Sequence, residues 1–408
     1  MTAEDDDPPH AAIAPPPAFL SAPAPAAVLA ALPGARAVGG CVRDALADRP
    51  VHDVDVAAPL PPDAVAPLLR RAGMKVFDTG LAHGTVTAVF GGEPVEVTSL
   101  RRDVATDGRH AAVEWTTDWR EDAARRDFTI NAMSLAADGR LWDYFGGRED
   151  LAAGRVRFVG DPDTRLREDY LRALRFFRFQ ARYGRGEPDP AALAAIRAAV
   201  PGLARLSAER VWMEIKRLLA APDPSGAVAL MGETGVLGAV LPEGTEVAAL
   251  ARLVGIGDAP PDPLLRFAAL FPVGTAFGGL ASRLRMSGAE AATLAALRGP
   301  APPSDANDAA LRRALAEDGH AALLGRSLLA EARGAPGDLA GVRRRLSAME
   351  RPEFPLHGRD VLALGVPPGP EVGRLLGAAR SWWMERGCAD GAEACRGRLR
   401  ELTAERHS

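Results

Sequence analysis

The spacing of apolar residues in this 408-residue chain changes at about Glu121, and this change constrains the fold more than any other feature. Before it, from Ala35 to about Leu100, short runs rich in Val and Thr are separated by Gly, Pro and Asp, a pattern typical of strands between turns. After it, apolar residues recur with the period of an α-helix. The sequence therefore predicts an α+β protein, in which a head with a small mixed β-sheet and helices precedes an all-helical remainder.

Two segments of the helical part show the period most clearly. LREDYLRALRFFRFQARYG, residues 166–184, predicts one helix, and LSAERVWMEIKRLLAA, residues 206–221, predicts another. In the second segment Ser207 is a candidate N-cap. One face of that helix is expected to be apolar, and it carries Val211, Ile215, Leu218 and Leu219.

Two other segments lack a regular pattern. Residues 1–25 contain seven prolines and an Asp run without apolar periodicity, which predicts a disordered tail. LRRDVATDGRHAAVEWTTD, residues 100–118, is polar and contains a glycine, which predicts a long, mobile loop.

A glycine pair lies between a predicted strand and a predicted helix, in the run GGCVRD from Gly39 to Asp44. Gly40 lets the backbone approach a ligand closely, and the N–H groups at a helix start favour an anion. Arg43 adds a guanidinium fork that suits phosphate oxygens. A strand-to-helix turn that merely needs glycine is the alternative interpretation.

Three acidic residues on predicted strands form a candidate metal site. Asp53 and Asp55 lie two positions apart on a strand and so point to one face, where two carboxylates repel unless a cation lies between them. This pairing indicates Mg²⁺, with Glu96 on a later strand as a third carboxylate. A solvated acidic strand end is the alternative, and it is the commoner fate of an isolated Asp-x-Asp. Three carboxylates, two metal ions and a triphosphate are the parts of a two-metal nucleotidyl transfer.

Five motifs in order resemble those of the class II tRNA nucleotidyltransferases, a family that contains CCA-adding enzymes and bacterial poly(A) polymerases. The motifs are GGCVRDAL…DVDVA, LAHGTVTAVF…VEVTSLRRD, RRDFTINAM, DYFGGREDL and REDYLRALRFFRF. The resemblance covers roughly Ala35 to Leu219. It implies a template-independent enzyme that adds C, C and A from CTP and ATP to the tRNA 3′ end and releases pyrophosphate.

The resemblance also assigns roles to residues. Asp53 and Asp55 would bind catalytic Mg²⁺, with Glu96 completing the acidic set. The nucleotide-binding residues that it implies are Gly40 and Arg43 for the triphosphate, Arg126 for the nucleotide, Asn131 for the sugar end of the pocket, and Asp169, Arg172, Arg175 and Arg178 around the base.

Base selection by Asp169 and Arg172 also has a chemical basis. The predicted helix places them at i and i+3, on one face. Ionised Asp only accepts hydrogen bonds and Arg only donates them, which matches the amino group and ring acceptor of both cytosine and adenine. Uracil and guanine present the opposite pattern, and each unsatisfied buried group costs about 1–3 kcal/mol. An Asp–Arg salt bridge on a solvated helix face is the alternative interpretation.

The resemblance and the change of pattern together predict five segments. These are a disordered tail 1–25, a catalytic head 26–152, a helical neck 153–222 with the base-reading helix, a helical body 223–300, and a helical tail 301–408 that contacts tRNA.

Composition narrows the class of protein. The net charge of −4 argues against an indiscriminate nucleic-acid coat but leaves room for a local basic groove. No run approaches the roughly 18 apolar residues of a membrane span, and the acidic N-terminus does not resemble a signal peptide. Cys41, Cys388 and Cys395 form no metal-ligand pattern or disulfide framework, which predicts a cytoplasmic protein. No feature indicates an obligate protein partner.

Other functions remain open at this stage. A poly(A) polymerase has a similar base-reading segment, although the short C-terminal run RGRLRELTAERHS is not the basic extension that those enzymes usually carry. Partial enzymes that add only CC or only A share the motifs. A degenerate RNA-binding protein would have lost a metal carboxylate, and all three are present. A small-molecule nucleotidyltransferase would not account for EDYLR or the long helical half.

Overall fold

The computed structural model describes residues 7–80, 84–106, 111–243 and 246–405. The chain forms two compact units, Met1–Pro242 and Glu243–Ser408, called here the N-terminal and C-terminal units. The predicted α+β class is confirmed, since the strands lie in the N-terminal unit and helices make up the rest.

Strands account for much of the first half of the N-terminal unit. The described residues form ten: β1 Ala11–Ala12, β2 Arg36–Val38, β3 Asp55–Ala58, β4 Lys75–Gly80, β5 Thr85–Phe90, β6 Glu93–Ser99, β7 Arg101–Thr106, β8 Ala111–Trp115, β9 Ser134–Leu135 and β10 Arg140–Trp142. Eight of them build one mixed sheet in the order β1-β10-β9-β2-β3-β6-β5-β4, in which β3 and β6 run parallel and the other neighbours antiparallel.

Helices surround the sheet and continue beyond it. In the N-terminal unit they are α1 Pro23–Ala31, α2 Gly40–Leu46, α3 Pro62–Arg71, α4 Trp119–Ala124, α5 Gly147–Ala153, α6 Pro162–Glu168, α7 Leu171–Tyr183, α8 Pro190–Ala199, α9 Ala208–Leu219, α10 Ser225–Glu233 and α11 Val236–Val240. Short 3₁₀ helices span Ala18–Ser21, Thr129–Asn131 and Val200–Arg205.

The alternation of side chains along β3 and β6 separates the core from the candidate site. Val56 pairs with Val97 and both are fully buried, on the side where α1 and α3 pack against the sheet. Because neighbouring residues of a strand point to opposite faces, the preceding pair, Asp55 and Glu96, lies on the other face. The same alternation therefore builds the core and leaves the carboxylates free for chemistry.

The prediction of a disordered tail over residues 1–25 is wrong for the described part, from Asp7 onward. Strand β1 pairs with β10, and the Asp7 carboxylate accepts a hydrogen bond from the Arg36 guanidinium at 3.1 Å. Arg36 itself is buried between the rings of Trp119 and Trp142, at 4.2 and 3.4 Å from their centroids. Order comes from these distant partners, which local composition does not reveal.

The prediction of a mobile loop over residues 100–118 is also wrong. Strands β7 and β8 pair as an antiparallel hairpin, in which Arg101 is opposite Trp115. Asp118 then caps α4, because its side chain accepts hydrogen bonds from the N–H groups of Arg120 and Glu121. Residues 107–110, between these two strands, lie outside the described residues.

The segment predicted as one helix over residues 166–184 is two helices. α6 ends at Glu168, Asp169 has extended backbone angles (φ −154°, ψ 107°), and α7 begins at Leu171. The Asp169 carboxylate accepts a hydrogen bond from the Leu171 N–H at 3.1 Å, a local bond that competes with the helical one. The second predicted helix is confirmed as α9: Ser207 occupies the N-cap position, and its apolar face is buried.

The C-terminal unit is entirely helical among its described residues. Its helices are α12 Val247–Gly255, α13 Pro263–Ala269, α14 Phe277–Arg283, α15 Gly288–Leu297, α16 Asp308–Ala332, α17 Leu339–Ala348, α18 Gly358–Leu362, α19 Pro370–Glu385 and α20 Ala392–Ala404. The buried Arg343 of α17 forms ion pairs with Asp258 and Glu331, at 2.8 and 2.5 Å. None of the helices in the described part of the chain combines the length and apolar character that a membrane crossing requires.

Candidate active site

A polar cavity of about 740 Å³ in the N-terminal unit collects almost all the predicted site residues. Those that line it are Gly40, Arg43, Asp53, Asp55, Arg126, Asn131, Asp169, Arg172, Arg175 and Arg178. Glu96 is not among the lining residues, although its strand neighbour Asp55 is. Arginines outnumber aspartates around this cavity, so its net charge favours a polyanionic ligand.

The carboxylates lie at the β3–β6 edge of the cavity. Asp55 pairs in parallel register with Glu96, and Asp53 precedes it by two positions. Burial raises the pKa of Asp55 above its ordinary value, and the neighbouring charges of Glu96 and Asp53 raise it further. The Arg126 guanidinium opposes this rise. The repulsion between these carboxylates is a reason to expect a cation here.

The donor set fits Mg²⁺ that is shared with a ligand. Among the described residues, no three His, Cys, Asp or Glu side chains are arranged to hold a metal ion by themselves. Mg²⁺ is usually bound by one or two carboxylates and completes its octahedral shell with water and substrate phosphates. Asp53 and Asp55 therefore suit an ion whose remaining ligands come from a bound triphosphate.

The turn from β2 to α2 also lines the cavity, next to Asp55 because Val38 of β2 pairs with Asp55 of β3, and this turn depends on Gly39. Gly39 has φ 72° and ψ −122°, a backbone conformation that residues with a Cβ rarely adopt. A Cβ built there would lie 2.9 Å from Arg126 Nη1, so the glycine also makes room for that guanidinium. The sequence prediction named Gly40, but Gly39 carries the geometric requirement.

Arg43 is held in one orientation by three partners. Its Nε and Nη2 atoms donate to the two carboxylate oxygens of Asp44, at 3.1 and 2.9 Å. Its Nη1 atom donates to Asn131 Oδ1 at 2.6 Å. The hydroxyl of Tyr183 donates to Asp44 in turn, and the Arg43 guanidinium lies 4.5 Å from the centre of the Tyr183 ring. Arg43 and Asn131, which were predicted for different ends of the nucleotide, thus act on each other.

Asp127, in the motif RRDFTINAM, connects this motif to α7. It is buried, and it accepts hydrogen bonds from Asn131 Nδ2 at 3.0 Å and from Arg175 Nε at 2.7 Å. Burial alone would raise the pKa of Asp127, but the charge of Arg175 and the hydrogen bonds from Asn131, Arg175 and the Phe128 N–H hold that pKa below its ordinary value. Asp127 is therefore ionised and fixes both neighbours.

Glu214 of α9 is a buried acid surrounded by arginines. Its carboxylate lies 2.8 Å from Arg178 Nε, 3.9 Å from Arg175 Nη1 and 3.8 Å from Arg217 Nη1. The Arg178 contact is an ion pair without hydrogen-bond alignment, since Arg178 Nε and Glu214 Oε2 are both buried without a hydrogen-bond partner. One buried carboxylate thus lies within 4 Å of three guanidinium groups at the cavity wall.

Asp169 and Arg172 both line the cavity. The prediction that they lie on one face of one helix is wrong, because Asp169 is outside α7. Asp169 lies in the break between α6 and α7, and its carboxylate accepts a hydrogen bond from Arg210 Nη2 at 2.6 Å. Arg172 donates to Glu168 and to the backbone carbonyls of Arg165 and Arg125. Both side chains line the cavity, but Asp169 has an extended backbone and Arg172 a helical one.

Sequence reasoning missed the residues that hold the predicted ones in place. These are Asp44, Asp127, Glu168, Tyr183, Arg210 and Glu214. Glu214 had a detectable signal, because it is an acid on the face of α9 that Val211 and Leu218 make apolar. Asp44 and Asp127 lie inside the motifs GGCVRD and RRDFTINAM, in which roles were assigned only to neighbouring residues.

Two family models match the chain, one within the N-terminal unit and one that extends from it to the first residues of the C-terminal unit. The model described as Poly A polymerase head domain matches residues 35–157. The model described as Probable RNA and SrmB- binding site of polymerase A matches residues 187–247. The first match contains the glycine turn, the carboxylates and Asp127.

Curated relatives and solved structures agree with these matches. The CCA tRNA nucleotidyltransferase 1, mitochondrial, of Danio rerio is 37% identical over 366 residues, which cover 85% of this chain and 83% of the relative. The CCA-adding enzyme of Geobacillus thermodenitrificans is 40% identical over 201 residues, 49% of this chain and 48% of the relative. The Bacillus stearothermophilus CCA-adding enzyme, solved in complex with CTP, superposes with a TM-score of 0.70 at 27% identity and covers 95% of this chain and 99% of that one.

Proposed function

Because the chain belongs to the family of the CCA tRNA nucleotidyltransferases, we propose that it adds C, C and A in turn to the 3′ end of tRNA. CTP and ATP are the proposed substrates, pyrophosphate is the second product, and no nucleic-acid template is used. The single observation that carries the proposal is the cavity that joins the Asp53–Asp55 edge to the arginines of α7. A nucleoside triphosphate would span this cavity, with its phosphates near Asp53 and Asp55 and its base near Asp169.

The proposed reaction is a displacement at phosphorus. The RNA 3′ oxygen bonds to the α-phosphorus, the bond from that phosphorus to the bridging oxygen breaks, the electron pair leaves with pyrophosphate, and the hydroxyl proton passes to solvent. Asp53 and Asp55 would hold Mg²⁺, which when bound would supply positive charge to activate the hydroxyl and neutralise the leaving group. Glu96 completes the acidic set beside Asp55.

The remaining residues bind and orient the nucleotide. Gly40 gives the phosphates access to the backbone, and Arg43, fixed by Asp44 and Asn131, presents its remaining N–H groups to them. Arg126 lies between the glycine turn and the carboxylates, where it binds the nucleotide. Since binding costs less when side chains are already ordered, these contacts lower the entropy lost on substrate binding.

The base is read at the junction of α6 and α7. The Asp169 carboxylate accepts from the amino group of cytosine or adenine, and Arg172 donates to the adjacent ring acceptor. Arg175 and Arg178, held by Asp127 and Glu214, line the same part of the cavity. Arg210 orients Asp169 by donating a hydrogen bond to its carboxylate, and an acceptor held in this position disfavours uracil and guanine.

The rest of the chain is assigned by the same proposal. The head 26–152 performs catalysis, and the neck 153–222 reads the base. The body 223–300 is a further helical segment, and the tail 301–408 contacts tRNA. All three cysteines lie within the described residues and are unpaired, which supports a reducing compartment, and we place the protein in the cytoplasm.

A primer-extension assay tests the proposal. It uses tRNA without its CCA end and Mg²⁺, with CTP and ATP supplied separately and then together. Addition of two C residues and one A, followed by arrest, is the expected result, and Asp53→Ala should abolish it. A long A ladder from ATP alone would identify a poly(A) polymerase instead, and the match to a poly(A) polymerase head domain makes this the second candidate. Binding of tRNA without extension would contradict the catalytic proposal.

A further inference from the structure

A second cavity of about 570 Å³ lies beside the first, also within the N-terminal unit. Arg182 and Tyr183, at the end of α7, line both cavities. Among the described residues that line the second cavity, four are arginines, Arg49, Arg148, Arg182 and Arg185, and one is an acid, Asp48. No role assigned so far uses this cavity.

The protein compensates only a small part of the positive charge of the second cavity, through Asp48. Among the described residues, none of its four arginines forms an ion pair with a carboxylate. Arg49 donates to the Arg182 carbonyl at 2.6 Å and lies 4.6 Å from the centre of the Tyr183 ring. Arg185 donates to the Ala152 carbonyl at 2.7 Å. These two guanidinium groups are therefore held in place by neutral partners, and their charges remain available to an anion.

This contrasts with the first cavity, where carboxylates hold most arginines. Arg43 pairs with Asp44, Arg175 with Asp127, and Arg178 with Glu214. Like charges that are close together repel, and a bound polyanion removes that repulsion. Arg148, Arg182 and Arg185 are exposed, so an anion can reach the second cavity from solvent, where fewer protein carboxylates compete with it than in the first cavity.

The position of the second cavity indicates which anion it receives. α7 begins at the base-reading end of the first cavity and, at 1.5 Å per residue, extends about 18 Å to the shared wall. Tyr183 in that wall donates to Asp44, the partner of the proposed triphosphate ligand Arg43. The second cavity therefore lies beyond the phosphate end of a bound nucleotide.

We infer that the second cavity binds inorganic pyrophosphate after it leaves the first cavity, as a separate site for the product. The inference rests on the proposed function for the identity of the anion. Arg49, Arg148 and Arg185 bind the phosphate oxygens, since guanidinium forks match them in shape and charge. Binding here separates the product from the newly formed bond and leaves the first cavity free for the next nucleotide.

Calorimetric titration of pyrophosphate into the full chain tests the inference without turnover. CTP is held at saturation, without RNA, so that the first cavity is occupied. We expect pyrophosphate to bind the CTP-saturated protein, and Arg148→Gln/Arg185→Gln to weaken this binding about tenfold or more. Arg70→Gln/Arg71→Gln, exposed arginines on α3, removes the same charge and should change it less than twofold. If the double variant is unstable, Arg148→Gln alone should still weaken binding about threefold.

Three results would overturn the inference. One is the absence of pyrophosphate binding once CTP is saturating, because the two anions would then share one site. Another is equal weakening in the α3 control. The third is a loss of tRNA affinity with unchanged pyrophosphate affinity, which would assign the arginines to an RNA backbone. The titration measures binding without turnover, whereas the primer-extension assay measures nucleotide addition. Failure of the proposed function and failure of this inference are therefore distinguishable.

Discussion

Asp55 on β3 and Glu96 on β6 face each other in parallel register at one level of the sheet. The next pair along these strands, Val56 and Val97, is fully buried on the opposite face. The register that closes the apolar core therefore also places two carboxylates side by side. Burial and the Glu96 charge raise the pKa of Asp55, so the folded protein bears an electrostatic cost for this arrangement.

Asp55→Asn should separate catalysis from stability. Because the folded-state pKa of Asp55 is raised, its ionised form destabilises the fold, and this cost increases as the pH rises through the ordinary Asp range and above. The variant should therefore melt at a higher temperature than the wild type at pH 7 without divalent cations. Nucleotide addition should fall by about a thousandfold, since a metal ligand is lost.

Differential scanning fluorimetry with and without Mg²⁺ measures the stability effect. Mg²⁺ with CTP should raise the melting temperature of the wild type more than that of Asp55→Asn, because a bound ion stabilises the folded state. Asp305→Asn, an exposed position in the C-terminal unit, is the matched control and should leave both measurements unchanged. A lower melting temperature in Asp55→Asn would mean that the carboxylate is structurally required.

Glu214→Gln should weaken both the fold and nucleotide binding. The variant leaves Arg175, Arg178 and Arg217 without their shared buried acid, and breaking a buried ion pair costs about 3–5 kcal/mol. Urea unfolding measures this loss, and the KM for CTP should rise because all three arginines line the candidate cavity. Glu209→Gln, exposed on the same helix, should change neither quantity appreciably. A normal KM in Glu214→Gln would restrict Glu214 to stability.

Asp127 should contribute to the loss of stability in acid. Its folded-state pKa lies below the ordinary Asp value of about 3.9, so its contribution is complete above that value and is lost as the pH falls through the folded-state pKa. Asp127→Asn should be less stable than the wild type at pH 7, and the difference should narrow toward pH 3. Urea midpoints between pH 7 and 3 measure this effect. A difference that stays constant with pH would contradict an ionised Asp127.

Asp169→Asn should relax the choice of base. An amide both donates and accepts, so it tolerates the carbonyl of uracil where a carboxylate is left without a donor. The ratio of kcat/KM for CTP to that for UTP should fall about tenfold, in line with one mispaired group at about 1–3 kcal/mol. Arg167→Gln, exposed on α6, should keep the wild-type ratio. An equal loss for both nucleotides would indicate that Asp169 only supports the helix break.

Local patterns were sufficient to predict the parts of the site that one strand or turn determines. Asp55 follows from period-two alternation along β3, and Gly40 and Arg43 from a short glycine turn before a helix. Asp53, which the sequence places on the same strand as Asp55, instead precedes the start of β3. These residues lie within a few positions of one another, so their relative placement is set by backbone geometry alone. The buried face of α9 was predictable for the same reason.

Contacts between distant segments were not predictable in this way. Arg36 is buried between Trp119 and Trp142, and the partner of Asp127 is Arg175 on α7. Such pairs depend on how the elements pack, which no spacing rule encodes. The ordering of residues from Asp7 onward depends on the same Arg36 cluster, so composition alone predicted disorder.

Gly39→Ala should impair nucleotide addition beyond its effect on stability. At φ 72° and ψ −122° a Cβ is strained by about 1–3 kcal/mol. The same Cβ would lie 2.9 Å from Arg126 Nη1, so this guanidinium must move away from the glycine turn. We expect kcat/KM for CTP to fall at least about tenfold, since a small displacement of a positioning group is costly.

Gly73→Ala separates strain from displacement, because Gly73 also has a positive φ of 83° but a Cβ there meets no atom within 4 Å. Both variants should lose stability in urea, by about 1–3 kcal/mol for the backbone conformation. Only Gly39→Ala should lose activity, because only its Cβ reaches Arg126. Equal activity in the two variants would show that the position of Arg126 is unimportant to the reaction, and that Gly39 serves the turn alone.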